Sequence, residues 1–236
     1  MPRTKRLIPV NLAMHIICRG NNGQKIFYQE KDKRYYYDLL KNLKEVNKIK
    51  IFHYCLMDNH MHLIVWLSLE SSVSKFMKQV NLCYFNYFKK TYGYCGHLWQ
   101  GRFKSNVVDT DSYLLQCGKY IELNPVRATM VGFPEEYRFS SYNHYAKGKS
   151  DPLVTDSFTY MSLSNDSQSR MKQYIEFVVD ESIINAELFA RQQFIGGEVF
   201  IKKLQDYYGI RNKGLKRGRP KGQKGRKNRN VPFFIL

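Results

Sequence analysis

Apolar side chains recur along this chain with two different periods, and the alternation between them outlines the fold. Leu12-Ala-Met-His-Ile-Ile-Cys-Arg19 is a short apolar run closed by Gly20-Asn-Asn-Gly23, which predicts a strand followed by a turn. From Lys31 to about Asn47 the apolar positions Tyr36, Leu39, Leu40, Leu43 and Val46 recur at spacings of three and four, as one face of a helix demands. Two further strands follow, Ile49 to Met57 and His60 to Leu67, with Asp58-Asn59 as a tight hairpin connection. Ser71-Ser72 can cap a second helix whose stripe Val73, Phe76, Met77, Val80, Tyr84, Tyr87 and Phe88 faces a core, and which ends at Tyr92-Gly93. Leu98 to Asp109 reads as a fourth strand. Thr110-Asp111-Ser112 then caps a third helix running to about Leu123, where Pro125 stops it.

The order strand, helix, strand, strand, helix, strand, helix predicts an α+β fold. It is a ferredoxin-like split βαβ sandwich, an antiparallel sheet with helices on one face, to which the third helix is an addition. In that topology the first and third strands are central neighbours, so the strand beginning His60-Met61-His62 lies inside the sheet. Side chains at i and i+2 of a strand share a face, which stands the two imidazoles side by side, their backbones roughly 6 to 7 Å apart. Such a pair can chelate one divalent ion, although core packing alone also produces this short pattern.

Composition narrows the function. The 236 residues are 43% hydrophobic and 15% aromatic, enough for one substantial core and a small second unit. No run of about 18 apolar residues and no signal-peptide pattern at Met1-Pro-Arg-Thr-Lys-Arg is visible, so the expectation is a soluble, cytoplasmic protein without a membrane partner. Cys18, Cys55, Cys83, Cys95 and Cys117 are odd in number and scattered, which predicts reduced thiols and no disulfide framework. The formal charge is +18, and ten Lys or Arg with no Asp or Glu fall between Arg211 and Arg229. A polyanion is the partner this predicts, and nucleic acid is favoured over anionic lipid because no amphipathic helix with a basic face stands beside the tail.

Gly148-Lys-Ser-Asp-Pro152 reads as a boundary, dividing the chain into a domain over 1–147, a small helical extension over 148–210 and a basic tail over 211–236. In the extension Met171, Ile175, Val178 and Val179 predict a short helix, and Phe194 to Leu204 a second. Lys216-Arg-Gly-Arg-Pro-Lys221 resembles the core of an AT-hook, in which Arg217 and Arg219 would enter the narrow minor groove of A·T-rich duplex DNA. A basic tail binding any phosphate backbone fits the same residues.

Five motifs in order carry a family resemblance over residues 12 to about 145: Arg19-Gly-Asn-Asn22, Tyr54-Cys-Leu-Met-Asp-Asn-His-Met-His-Leu63, Leu98-Trp-Gln-Gly-Arg-Phe-Lys-Ser105, Tyr120-Ile-Glu-Leu-Asn-Pro-Val-Arg127 and Ser140-Ser-Tyr142. With these the chain resembles the HUH single-tyrosine transposases, in particular the REP-associated tyrosine transposases. The resemblance implies cutting of single-stranded or hairpin DNA by a tyrosine hydroxyl, leaving a 5′-phosphotyrosine and a free 3′-hydroxyl, with Mg²⁺ or Mn²⁺ polarising the phosphate. A metal suits a step in which phosphoryl oxygens gain charge and an alkoxide leaves. The matching nucleophile is Tyr120. One turn later on the same helix face stands Asn124, where the family supplies the third metal ligand beside His60 and His62.

Other positions carry less. Arg19, Asn22 and Arg127 lie in the matching motifs and are expected at the DNA, and Trp99, Arg102 and Lys104 combine base stacking with backbone charge. His15 on the first strand could reach the site or serve as a core histidine, and His53 and His144 have no assignment. Asp58 stands where the family commonly has Pro. A non-catalytic hairpin-binding protein or repressor on the same fold is the alternative, and an RNA-binding module on such a sheet a more distant one. Related enzymes include dimers with the tyrosine helix exchanged and monomers, so both a monomer and a homodimer are expected forms. The expected place of action is the prokaryotic nucleoid.

Overall fold

A computed structural model of the chain describes residues 11–109, 113–180, 189 and 192–210. In chain order its elements are β1 Leu12–Arg19, α1 Glu30–Val46, β2 Ile49–Leu56, β3 His60–Leu67, α2 Val73–Tyr92, β4 Lys104–Val108, α3 Tyr113–Glu122, α4 Asn124–Arg127, α5 Tyr142–Lys147, α6 Phe158–Met161, α7 Ser167–Val179, β5 Phe194–Ile195 and α8 Glu198–Tyr208. One sheet has the order β2-β3-β1-β4-β5, which puts β3 between two partners as the split βαβ topology requires. The β1, β2, β3 and β4 ladders are antiparallel, and only β5 runs parallel to its neighbour.

Period-two alternation divides the sheet between two cores. Met61, Leu63, Val65 and Leu67 of β3 join Met14 and Ile16 of β1 on the face that α1 and α2 cover with Tyr36, Leu40, Phe76, Val80 and Phe88. Ile64 points the other way, with Ala13 and Phe52, against Leu114, Cys117 and Ile121 of α3. The added third helix therefore covers the second face of the sheet. Burial of large apolar side chains on both faces is the main stabilising term, at ~1.5–3 kcal/mol for each fully buried one.

Buried Asp32 welds α1 to α2. It accepts the backbone N–H of Gln29 at 2.9 Å, closing the cap of α1, and the phenols of Tyr87 and Tyr92, each at 2.8 Å. Beyond Gly148, Asp151 accepts the phenols of Tyr37 at 2.6 Å and Tyr54 at 2.7 Å, Leu153 enters the α1/α2 core, and α7 packs beside α5 through Tyr174 and Tyr145.

Three elements differ from the sequence expectation. The third helix ends at Glu122, and Asn124 opens the separate short helix α4 with Pro125 in its first turn, so Tyr120 and Asn124 do not share one helix. The fourth strand begins at Lys104, not Leu98, because Gly96 and Gly101 turn the chain with φ of 118° and 110°, and Trp99 makes only a single bridge to Gly20. Phe194-Ile195 opens no helix: it pairs with Val107 and Val108 as β5, and the helix starts at Glu198. The expected Thr110-Asp111-Ser112 cap, the arm before Asn11 and the tail with Arg217 and Arg219 lie outside the described residues. No described helix is long and apolar enough to cross a membrane.

Candidate active site

His60 and His62 open β3 on the face that α3 covers, and their ring centroids stand 4.9 Å apart. Each ring is anchored at Nδ1. His60 meets Asn59 Oδ1 at 2.6 Å, and His62 meets Nε2 of His15 at 2.8 Å. Nε2 of each imidazole lies on the ring edge away from that contact. Burial lowers the pKa of all three rings: His60 to about 4, helped by the charge of Arg19, and His15 to about 3, helped by His60. His62 is pushed well below its ordinary value by burial, then by His60, His15 and Arg127. Neutral imidazoles with bare lone pairs are what a divalent cation needs at pH 7.

Above them lies Tyr120, half-buried near the end of α3. Its ring meets His62 edge-on at 6.0 Å between centroids and His15 at 6.2 Å, and it stacks on Phe189 at 5.1 Å. The Arg127 guanidinium sits 5.0 Å over the same ring and donates to the Tyr120 carbonyl at 3.2 Å. Burial raises the phenol pKa, while the Arg127 charge pulls it down. The hydroxyl is therefore protonated at neutral pH beside a cation that favours its ionised form. Asn124 donates its amide nitrogen back to the carbonyls of Tyr120 at 3.0 Å and Ile121 at 3.1 Å, which leaves its amide oxygen without a part in these bonds. Among the described residues no cage of three His, Cys, Asp or Glu side chains forms. The expected donors, two neutral imidazoles and the amide oxygen of Asn124, are a mixed set that divalent Mn²⁺ would accept, and Mg²⁺ with more reluctance toward nitrogen.

The rest of α3 is fastened to its own chain. Gly118 lets the helix lie directly on His53 of β2, since a Cβ there would stand 2.5 Å from that ring. Glu122, fully buried, accepts from His53 Nδ1 at 2.9 Å, Ser141 Oγ at 2.6 Å and the Tyr174 phenol at 2.7 Å. Lys119, 1% exposed, donates to the carbonyls of Phe177 at 2.7 Å and Asp180, at the end of α7 where helix carbonyls lack partners. These three residues and His53 carry roles that no sequence pattern pointed to; only their place around Tyr120-x-x-x-Asn124 could have flagged them.

The expected DNA contacts separate into groups. Arg19 faces His60 across the β1/β3 ladder, and Arg127 covers Tyr120, so both stand at the site. Asn22 lies in the exposed turn after β1 with φ of 51°, and Lys104, exposed, pairs with Ile17 at the start of β4. Arg102 is exposed in the loop before β4. Trp99 is half-buried, packs 5.9 Å from Tyr84 and 6.3 Å from Tyr36, and donates its indole N–H to Asn81 O at 3.2 Å, so the core holds it in place. His144 pairs with Asp156 at 2.9 Å, away from this cluster.

Comparison with known proteins gives the family. The sequence matches the family described as "Transposase IS200 like" over residues 9–124, a stretch that holds β1 to α3 together with His60, His62, Tyr120 and Asn124. Over these residues the chain matches the IS200-like transposases. A REP-associated tyrosine transposase, solved bound to a REP hairpin, superposes with a TM-score of 0.52 at 18% identity, covering 66% of this chain and 92% of that one. A provisionally assigned transposase of Deinococcus radiodurans R1 aligns at 13% identity over 57% of this chain and 97% of that one, with a TM-score of 0.36, and adds nothing to the fold argument. No curated protein matches the sequence. The α+β fold of this chain is thus shared with the hairpin-bound relative.

Proposed function

We propose that this IS200-like transposase is a metal-dependent endonuclease and strand transferase of single-stranded DNA, cutting at hairpin or repeat sequences through a 5′-phosphotyrosine on Tyr120. The observation that carries the reading is the approach of the Tyr120 ring to within 6.0 Å of His62, with Arg127 over its face. The Tyr120 oxygen attacks the phosphorus, the bond to the 3′ oxygen breaks, the phenol proton is released, and the departing 3′ oxygen takes up a proton. Rejoining is the reverse attack by another 3′-hydroxyl on the phosphotyrosine. His60, His62 and Asn124 would hold Mg²⁺ or Mn²⁺, which when bound polarises the scissile phosphate and stabilises the charge that builds on it. Arg127 favours both the ionised phenol and the phosphate beside it.

The relative's hairpin supports a hairpin as the partner here, held by Arg19, Asn22, Arg102 and Lys104 around the site, with Trp99 shaping the loop under them. Arg217 and Arg219 of the tail would add A·T-rich duplex. In this reading Tyr120 works within its own subunit, in a monomer or in each copy of a homodimer. Such an enzyme works at the nucleoid, in the cytoplasm.

Labelled single-stranded hairpins incubated with the protein and Mn²⁺ test this. A covalent adduct that survives denaturing electrophoresis is expected from the wild type, and Tyr120→Phe is expected to lose it while keeping hairpin binding. An adduct persisting in Tyr120→Phe would overturn the assignment; binding with no adduct from the wild type would favour the repressor reading.

A further inference from the structure

His15 lies in mid-β1, fully buried. Its Nε2 shares one hydrogen bond with Nδ1 of His62 at 2.8 Å, and the two rings stack with centroids 5.1 Å apart and planes 19° from parallel. Its own Nδ1 is buried without a partner among the described residues. The shared bond has a chemical consequence. A neutral imidazole carries one N–H, so whichever ring donates here fixes the tautomer of the other. If His15 donates, His62 accepts at Nδ1, carries its proton on Nε2 and cannot bind a metal through that nitrogen. If His62 donates from Nδ1, its Nε2 keeps the lone pair.

The neighbouring ring shows the pattern. Asn59 Oδ1 stands 2.6 Å from Nδ1 of His60, an acceptor that holds His60 as the Nδ1–H tautomer and leaves Nε2 bare. Metal-bound histidines ordinarily have such an acceptor behind them, a carboxylate or a carbonyl. His62 has His15. We infer that His15 is a positioning residue: it accepts the Nδ1–H of His62, sets that ring's tautomer and, by stacking on it, its plane, so that Nε2 of His62 is presented beside Nε2 of His60. The role rests on the metal-dependent reading above, but the tautomer can be measured with no metal present.

Ring ¹⁵N NMR of the metal-free, full-length protein is the first arm. The wild type is expected to show His62 as Nδ1–H, and His15→Phe, which keeps the stacking and removes the acceptor, to move it toward Nε2–H. The second arm is Mn²⁺ binding by calorimetry. His15→Phe is expected to weaken affinity by about 10–100-fold, and His15→Gln, which returns an acceptor oxygen, to recover part of the loss, with melting curves confirming that each variant is folded. His62 found as Nε2–H in the wild type, or unchanged Mn²⁺ affinity in folded His15→Phe, would overturn the inference. Wild type that binds no Mn²⁺ would overturn the metal reading instead, while the NMR arm still decides the pairing. Should His15→Phe not fold, His15→Gln with the wild-type spectrum decides it.

Discussion

The two halves of the site are held by different physics. His60 and His62 stand on a strand paired along both edges, so their positions are set by the backbone ladders of β2 and β1 and by the alternation of the pleat. Tyr120 stands on a ten-residue helix that no ladder holds. Its place depends on a Gly118 contact with His53, a Lys119 cap on α7 and the three hydrogen bonds of Glu122. Secondary structure positions the proposed metal ligands, whereas side-chain contacts from distant parts of the chain position the proposed nucleophile. Disturbing the first removes ligands; disturbing the second moves the helix over an intact sheet.

Substitutions can break that contrast at either half, the largest effect first. His60→Ala or His62→Ala is expected to abolish Mn²⁺-dependent adduct formation in gel assays, with the sheet still folded by circular dichroism; unchanged metal-dependent activity would remove the residue from the site. Glu122→Ala leaves His53, Ser141 and Tyr174 without their common acceptor in the core, and is expected to cost about 3–5 kcal/mol in urea unfolding. Hydrogen exchange should rise in α3 more than in β3. Gly118→Ala forces a methyl against the His53 ring, and is expected to cost about 1–2 kcal/mol after the ~1 kcal/mol that alanine gains in a helix.

The smallest effect is at Asp58, in the turn that leads into His60. Burial alone would raise its pKa, but the hydrogen bond and charge of Lys33, then those of Lys25, outweigh it and bring it below 3.8. A carboxyl held low stabilises the fold above its ordinary titration range and loses that contribution as pH falls through the folded value. With the pair part-exposed, Asp58→Asn should cost less than about 1 kcal/mol at pH 7, and the gap to wild type should close on acidification below 3.8, followed by thermal melting.

The same contrast decides what could be read from the residues. The bounds of β1 and β3, and the shared face of the two histidines, follow from apolar runs with turn residues beside them, because a strand's period is local. β4 was expected six residues too early because Gly96 and Gly101 break an otherwise extended run only through their backbone angles. β5 is two residues long and pairs with a strand far back in the chain, so no period could announce it. The tie between His15 and His62 is diagonal across the ladder, where Ile17 is the residue directly opposite His62. Pairing of strands can be guessed from topology, but a diagonal contact needs the register. Tyr120 and Asn124 were visible only through the family motif, since among 18 tyrosines no spacing singles one out. Glu122 reads as one more polar residue on an amphipathic helix until His53, Ser141 and Tyr174 are folded around it.

Mixing two inactive variants tests most directly whether the strand half and the helix half form one site within a chain. Tyr120→Phe supplies intact histidines and His62→Ala supplies an intact tyrosine. Combined with a labelled hairpin and Mn²⁺, they are expected to yield no covalent adduct at any ratio, because α3 is fastened over its own sheet. Adduct recovered in the mixture and carried by the His62→Ala chain would mean that Tyr120 reaches a second molecule's histidines, and would contradict that arrangement.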